Sequence, residues 1–124
     1  MENRITPHFT RLEMVCPCCG ECEMDSDFMN MLEKCRKMAD IGFRITSGYR
    51  CTCHNRDIGG HKSSAHTRGK ATDIRYRRAS DARKIVDAAC AVGFEGIEVG
   101  TGHIHLDNAL RSHGGKVLWT AVSK

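Results

Sequence analysis

The stretch from Ser47 to Asp73, SGYRCTCHNRDIGGHKSSAHTRGKATD, limits the fold of this chain more than any other. It is dense in Gly, Ser, His and Arg, holds few large apolar residues, and lies between two short runs of strand-like alternation. So polar a segment in the middle of a small domain adds little to a core and reads as a site. Within it His66 is followed by Asp73, and His103 and His105 stand downstream. Two imidazoles and a carboxylate form a ligand set for a zinc ion with a fourth position open to water. The rest of the chain is then a frame that brings the second histidine pair to this stretch.

A chain of 124 residues is of the size of one domain with a modest core, so residues 1–124 are expected to fold as a unit, with a cysteine-rich lead (1–24) packed on it. No apolar run approaches the roughly 18 residues that span a bilayer. The opening MENRITPHFTRLEMV lacks the apolar core of a secretory signal, so synthesis in the cytoplasm is expected, with some other route to any place outside it. The net charge of +4 is spread out apart from Arg75, Arg77 and Arg78. Without aromatic interleaving this argues against nucleic acid as a partner, while attraction to an anionic polymer fits. A monomer is expected.

From Asp25 or Ser26, either a good N-cap, a helical period runs through Phe28, Leu32, Cys35 and Ala39, broadened by Met31 and Met38, with Gly42 as the closing glycine. Phe43 to Thr46 then alternates as a strand, and Ala71 to Tyr76 as a second. Ser80 is read as the cap of a helix over Asp81–Val92, whose apolar face is Ala82, Ile85, Val86, Ala89 and Val92, closed by Gly93. Cys35 and Cys90 fall on these apolar stripes as small core residues. The first dozen residues read as an extended entry segment, and the tail from Asn108 as a closing strand or turn.

Gly96–Gly100 and His103–Asp107 flank Thr101-Gly102, a two-residue hairpin turn. In that register Glu98 sits opposite His105, and the period of two puts Glu98, His103, His105 and Asp107 on one face, with Ile104 and Leu106 toward the core. A zinc hydrolase needs an open metal position, a base for water and donors for the developing oxyanion. His66, Asp73 and His105 supply the ligands. Glu98 is the leading general base, with His103 and Asp107 as alternatives, and His103 also suits donation to the oxyanion. Arg50 suits a bidentate pair with a substrate carboxylate. His8, His54 and His113 read as ordinary histidines, and His61 lacks a matching spacing.

Eight cysteines are many for this length. Cys16 with Cys19, and Cys19 with Cys22, have the Cys-x-x-Cys spacing of zinc knuckles, and Cys51 with Cys53 offers ligands to complete a second, structural zinc site. Free thiols are the alternative.

SGYR, HN, IGG, S-x-H-x-x-G-x-A-x-D-I, GF-x-GI and H-I-H-L-D together resemble the zinc D-Ala-D-Ala carboxypeptidase family, whose superfamily also holds phage L-alanyl-D-glutamate endopeptidases and the zinc domain of hedgehog proteins. The resemblance covers about Phe9 to Arg111. It implies an α+β fold with a small, mainly antiparallel sheet and two main helices, and zinc on His66, Asp73 and His105. It further implies substrate contacts from Arg50 and Ser64, and hydrolysis of a D-amino-acid-containing bond in the peptidoglycan stem peptide. The short unsignalled chain looks most like phage members, which reach the cell wall by lysis or in a virion. One departure is Gly102, where some relatives carry an acidic catalytic residue. Two other classes stay open: a non-catalytic zinc domain of the same fold that binds wall or a partner, and a zinc-knuckle interaction module built on CPCCGEC.

Overall fold

The computed structural model describes residues 4–60, 64–109 and, for the backbone only, 117–121. His61, Leu110 and His113 lie outside the described residues. The lead is more structured than the extended segment expected from its sequence. Strands β1 (Arg4–Thr6) and β2 (Phe9–Thr10) pair antiparallel and run into a one-turn helix, α1 (Arg11–Met14). The turn forms because Thr10 and Glu13 make a capping box, in which the Thr10 hydroxyl accepts from Glu13 N–H and the Glu13 carboxylate accepts from Thr10 N–H. Phe9 and Met14 are buried on either side of it, so the lead contributes to the core.

Helix α2 (Ser26–Ala39) begins at Asp25, whose carboxylate accepts from Phe28 N–H at 2.9 Å. It buries Phe28, Met29, Leu32, Cys35 and Ala39. Met38, expected in the stripe, is 58% exposed, because Ala39 and Cys35 complete the buried face. Gly42 does not close the helix. Asp40 does, in the left-handed region at φ 56°, its N–H returning to Arg36 O; an acidic side chain tolerates that conformation locally. After strand β3 (Arg44–Ser47), the short helix α3 (Thr52–Asp57) and a 3₁₀ turn (Ala65–Arg68) fold within the polar stretch and lead to β4 (Ala71–Arg75).

Helix α4 (Ala79–Val92) starts earlier than expected, with Ser80 inside its first turn and no side-chain cap at Arg78. The Arg78 carbonyl instead accepts from Asp81 and Ala82 N–H. It buries Ala82, Ile85, Ala88 and Ala89 and ends at Gly93 as expected. Cys90 is exposed rather than in the core, whereas Cys35 is buried against the α4 backbone at Ile85.

Strands β5 (Gly96–Gly100) and β6 (His103–Asp107) form the expected hairpin, Glu98 opposite His105. With β7 (Val117–Ala121) they complete a five-stranded sheet in the order β3-β4-β6-β5-β7, antiparallel except for the parallel β5–β7 pair. The fold is α+β. Ile74, Ile97, Ile104 and Leu106 share one core with the inner faces of α2 and α4, closed by Phe28 edge-on to Phe94 at 5.5 Å between ring centroids.

Glu33 is 6% exposed on α2, and its carboxylate accepts from His8 N–H at 2.7 Å and pairs with His8 Nδ1. Burial pushes the Glu33 pKa up, but the His8 bonds outweigh it and hold the carboxyl below its ordinary value. A depressed carboxyl contributes stability that is full above the unfolded-state pKa and lost as pH falls through the folded one. Glu33→Gln should therefore cost about 1–2 kcal/mol at neutral pH, with allowance for the half-exposed His8. The deficit should shrink on acidification below the ordinary glutamate range, as read by denaturant titrations at a series of pH values.

Candidate metal centre

One cross-strand row builds the site. Ser47 on β3 is registered with Asp73 on β4, Asp73 with His105 on β6, and His105 with Glu98 on β5. Directly opposed residues in antiparallel strands project to the same face, so this row stands on one side of the sheet. The neighbouring row of Ile45, Ile74, Ile104 and Val99 packs into the core on the other. The site is therefore held by backbone pairing across four strands.

His66 reaches the row from the 3₁₀ turn. The Ser64 hydroxyl caps that turn by accepting from His66 N–H at 3.3 Å. The turn closes at Gly69, which has φ 69° and whose missing Cβ would collide with the Glu23 carbonyl; no other residue meets both conditions without strain. The His66 ring is buried and donates from Nδ1 to the Gly48 carbonyl at 2.8 Å, leaving Nε2 turned toward Asp73 Oδ2 at 3.4 Å. Gly48 itself lies against α1, where a Cβ would come within 2.8 Å of Met14 Cα. The Tyr49 N–H bonds to Met14 O at 2.9 Å, so the lead segment sets the height of the loop that orients His66.

His105 Nδ1 lies 3.0 Å from Asp73 Oδ1, and its Nε2 lies 2.7 Å from Asp107 Oδ2. The donor atoms of His66, Asp73 and His105 all fall within 4.8 Å of one another. Ligands about 2.1 Å from a tetrahedral zinc stand about 3.4 Å apart, so the three groups fit a zinc ion with small adjustment. Each imidazole has its second nitrogen engaged, His66 by a carbonyl and His105 by a carboxylate, which is how protein sites orient metal-binding histidines. Asp107 is 3% exposed and also accepts from Ala109 N–H. Of the base candidates left open by the sequence it is thus the one committed to holding His105. The His-x-Asp alternation of β6 carries that relation in the sequence, since both side chains fall on one face.

Without a cation the electrostatics are those of a compact ion cluster. Burial pushes the Asp73 pKa up, but hydrogen bonds and charge from His105 and His66 win and hold the carboxyl well below the usual carboxylate range. Burial pulls His105 down, but its bonds to Asp107 and Asp73 outweigh this and raise it to about 9. Arg50 adds a further cation, with Nη2 3.4 Å from Asp73 Oδ2, Nε donating to Ser47 Oγ at 3.2 Å and Nη1 to Asn55 Oδ1 at 3.4 Å.

Glu98, opposite His105, is partly exposed. His103 is exposed two positions from His105 on the same face, its ring lying over Gly100. The sequence did not reveal the groove beside Arg50. About 370 Å³ in volume, it is lined by Leu12, Pro17, Ser47, Arg50, His54 and Ile58. Its walls come from α1, the cysteine loop, β3 and α3, which only the fold assembles. Of the five cysteines expected to offer structural ligands, Cys16, Cys19 and Cys51 lie together. Cys22 packs against the core edge and Cys53 is exposed on α3, both outside that group.

An α+β domain that gathers His, Asp and His over one sheet face, with a further carboxylate in the same row, has the ligand set of a metallohydrolase. A sequence profile of the peptidase M15 family matches residues 7–107, and the chain belongs to that family. Among curated proteins, none matches the sequence.

Metal uptake at this centre should displace the His105 proton at any pH below about 9. Apparent zinc affinity should accordingly rise with pH up to that value, and calorimetry in buffers of different ionisation enthalpy should count the released proton. Asp107→Asn should leave the fold intact and weaken zinc binding by about 10–100-fold, measured by competition with a chelating dye.

Proposed function

We propose that this protein is a zinc metallopeptidase that hydrolyses a D-amino-acid-containing peptide bond of bacterial peptidoglycan, either by trimming a terminal D-Ala or by cutting the stem between L-Ala and D-Glu. The observation that carries the reading is the row Ser47–Asp73–His105–Glu98, which together with His66 sets a three-residue ligand group beside a carboxylate and a guanidinium. Membership of a peptidase family and the motifs quoted above support the class of substrate.

His66, Asp73 and His105 are the residues that would hold the zinc. When bound there, the ion supplies Lewis acidity that polarises a peptide carbonyl and makes a water more acidic. Glu98 takes the proton from the attacking water and returns it to the departing amine, a task suited to a partly exposed carboxylate registered opposite His105. His103 donates to the developing oxyanion from two positions along β6 on the same face. Arg50 lines the groove and pairs with a carboxylate of the stem peptide, while its bonds to Ser47 and Asn55 fix the plane of its guanidinium. Ser64, beside the first ligand, adds a hydroxyl contact to the peptide. Leu12, 82% exposed, and Ile58, 52% exposed, give the same groove an apolar wall for the stem side chains. The protein works as a monomer at the cell wall, released by phage lysis or carried in a virion.

Incubating the zinc-loaded chain with purified muropeptides and weighing the products identifies the bond that is cut. Loss of an alanine mass marks the carboxypeptidase, and separation of stem from sugar-linked L-Ala marks the endopeptidase. Chelation should abolish release, and Glu98→Gln should lower kcat by about 10²–10⁴-fold with zinc content unchanged. Full activity in Glu98→Gln together with a dead His103→Ala would move the base to His103. A zinc-loaded chain that binds muropeptides but releases nothing would instead make this a non-catalytic wall-binding domain of the same fold. Arg50→Lys should raise KM more than it lowers kcat, because a point charge replaces a planar fork.

A further inference from the structure

The cysteine-rich lead and the loop that carries Arg50 together form a second group of metal-ligating side chains. The thiols of Cys16, Cys19 and Cys51 all lie within 4.8 Å of one another, and thiolates about 2.3 Å from a tetrahedral zinc stand about 3.8 Å apart. Cys16 and Cys19 come from Cys16-Pro17-Cys18-Cys19-Gly20, a tight turn closed by Gly20 N–H to Cys16 O and by Cys16 N–H to Glu21 O, each at 2.8 Å. The backbone N–H of Cys51 donates to the Cys16 sulfur at 3.3 Å, and the backbone amides of Cys18 and Cys19 also favour its thiolate form. Cys51 arrives from a distant part of the chain, directly after Arg50, and also caps α3 by accepting from His54 N–H. A fourth thiol, that of Cys18, is exposed and close enough to interact with Cys51, though it lies outside the group of three.

We propose that Cys16, Cys19 and Cys51, with Cys18 in the fourth position, bind a structural zinc ion that ties the lead segment to the Arg50 loop. Binding converts the thiols to thiolates and passes their protons to solvent, so it needs no oxidant or other reactant. Four sulfur ligands close the coordination sphere, which is the mark of a structural rather than a catalytic zinc. The ion would sit one residue from Arg50 and brace the same loop whose Gly48 carbonyl orients His66. This site stands independently of the peptidase reading, because none of its ligands belongs to the His/Asp/His centre.

The test uses the full chain with His66→Ala and Asp73→Ala, which empties the first centre and contains no change among the cysteines. This variant should retain one zinc per chain. After exchange into cobalt it should show intense thiolate-to-metal charge transfer in the near ultraviolet and the visible bands of tetrahedral cobalt. Adding Cys19→Ser or Cys51→Ser should abolish both. Cys18→Ser should weaken cobalt binding at least tenfold, whereas Cys22→Ser and Cys53→Ser should leave the spectrum unchanged. Cys18 and Cys19 are exposed, so their replacement does not depend on repacking a core. A metal-free His66→Ala, Asp73→Ala chain that remains folded by circular dichroism would overturn the proposal. So would an intact mass showing a disulfide between any two of these thiols in the freshly purified protein. Unchanged cobalt affinity in Cys18→Ser would remove Cys18 from the ligand set.

Discussion

The Asp73 carboxylate holds the site together. One oxygen faces His105 and the other faces both His66 and Arg50, so three segments far apart in the chain converge on two atoms. Taking that carboxylate out of water would be costly alone, and the surrounding donors repay the cost only because each is aimed. The sheet aims His105 through cross-strand register, the 3₁₀ turn aims His66, and the Ser47 and Asn55 contacts aim Arg50. A slip of one residue between β4 and β6 would send Asp73 or His105 into the core and dissolve the arrangement.

The core enforces that register. Ile74 and Ile104 are registered with each other one position from the Asp73–His105 pair, and both are fully buried against the helices. Burying them and exposing the polar row are one decision, since alternate residues of a strand face opposite sides. The helices therefore act on the site without touching it. The lead segment acts more directly, through Met14, whose backbone meets Gly48 and Tyr49 and so positions the carbonyl that orients His66. A loop braced this way keeps Arg50 and His66 in place while presenting an open groove to a peptide.

Much of the centre was legible in the chain because strand and hairpin patterns are local. The alternation of Ala71–Arg75 and of His103–Asp107, joined to Gly96–Gly100 by Thr101-Gly102, is enough to put Glu98 opposite His105 and to share a face between His105 and Asp107. Helix α2 was legible from its period and its Asp25 cap. The capping box at Thr10 and Glu13 was also written in the sequence, yet a single helical turn has too few residues to show a period. Asp40, which ends α2 where Gly42 was expected, and Arg78, which opens α4 without a side-chain cap, show backbone hydrogen bonding deciding a terminus that side-chain preference left open. Cys90 and Met38 sit on apolar stripes by spacing but face water, because the core had room for only the inner part of each stripe.

The sequence by itself determined the chemistry on offer: an imidazole at a fixed offset before a strand carboxylate, a second imidazole on an alternating strand, a glutamate across a two-residue turn, and thiols at knuckle spacing. These follow from periodicity and residue type, which need no knowledge of distant contacts. Only the tertiary structure decided that Asp73 is shared among His66, His105 and Arg50, and that Asp107 braces His105 rather than standing free. It also decided that Cys51, not Cys22 or Cys53, joins Cys16 and Cys19. Each of those outcomes depends on where β4 lies between β3 and β6 and on how the lead packs against the Arg50 loop. Such contacts close over long stretches of chain, and no local pattern encodes them.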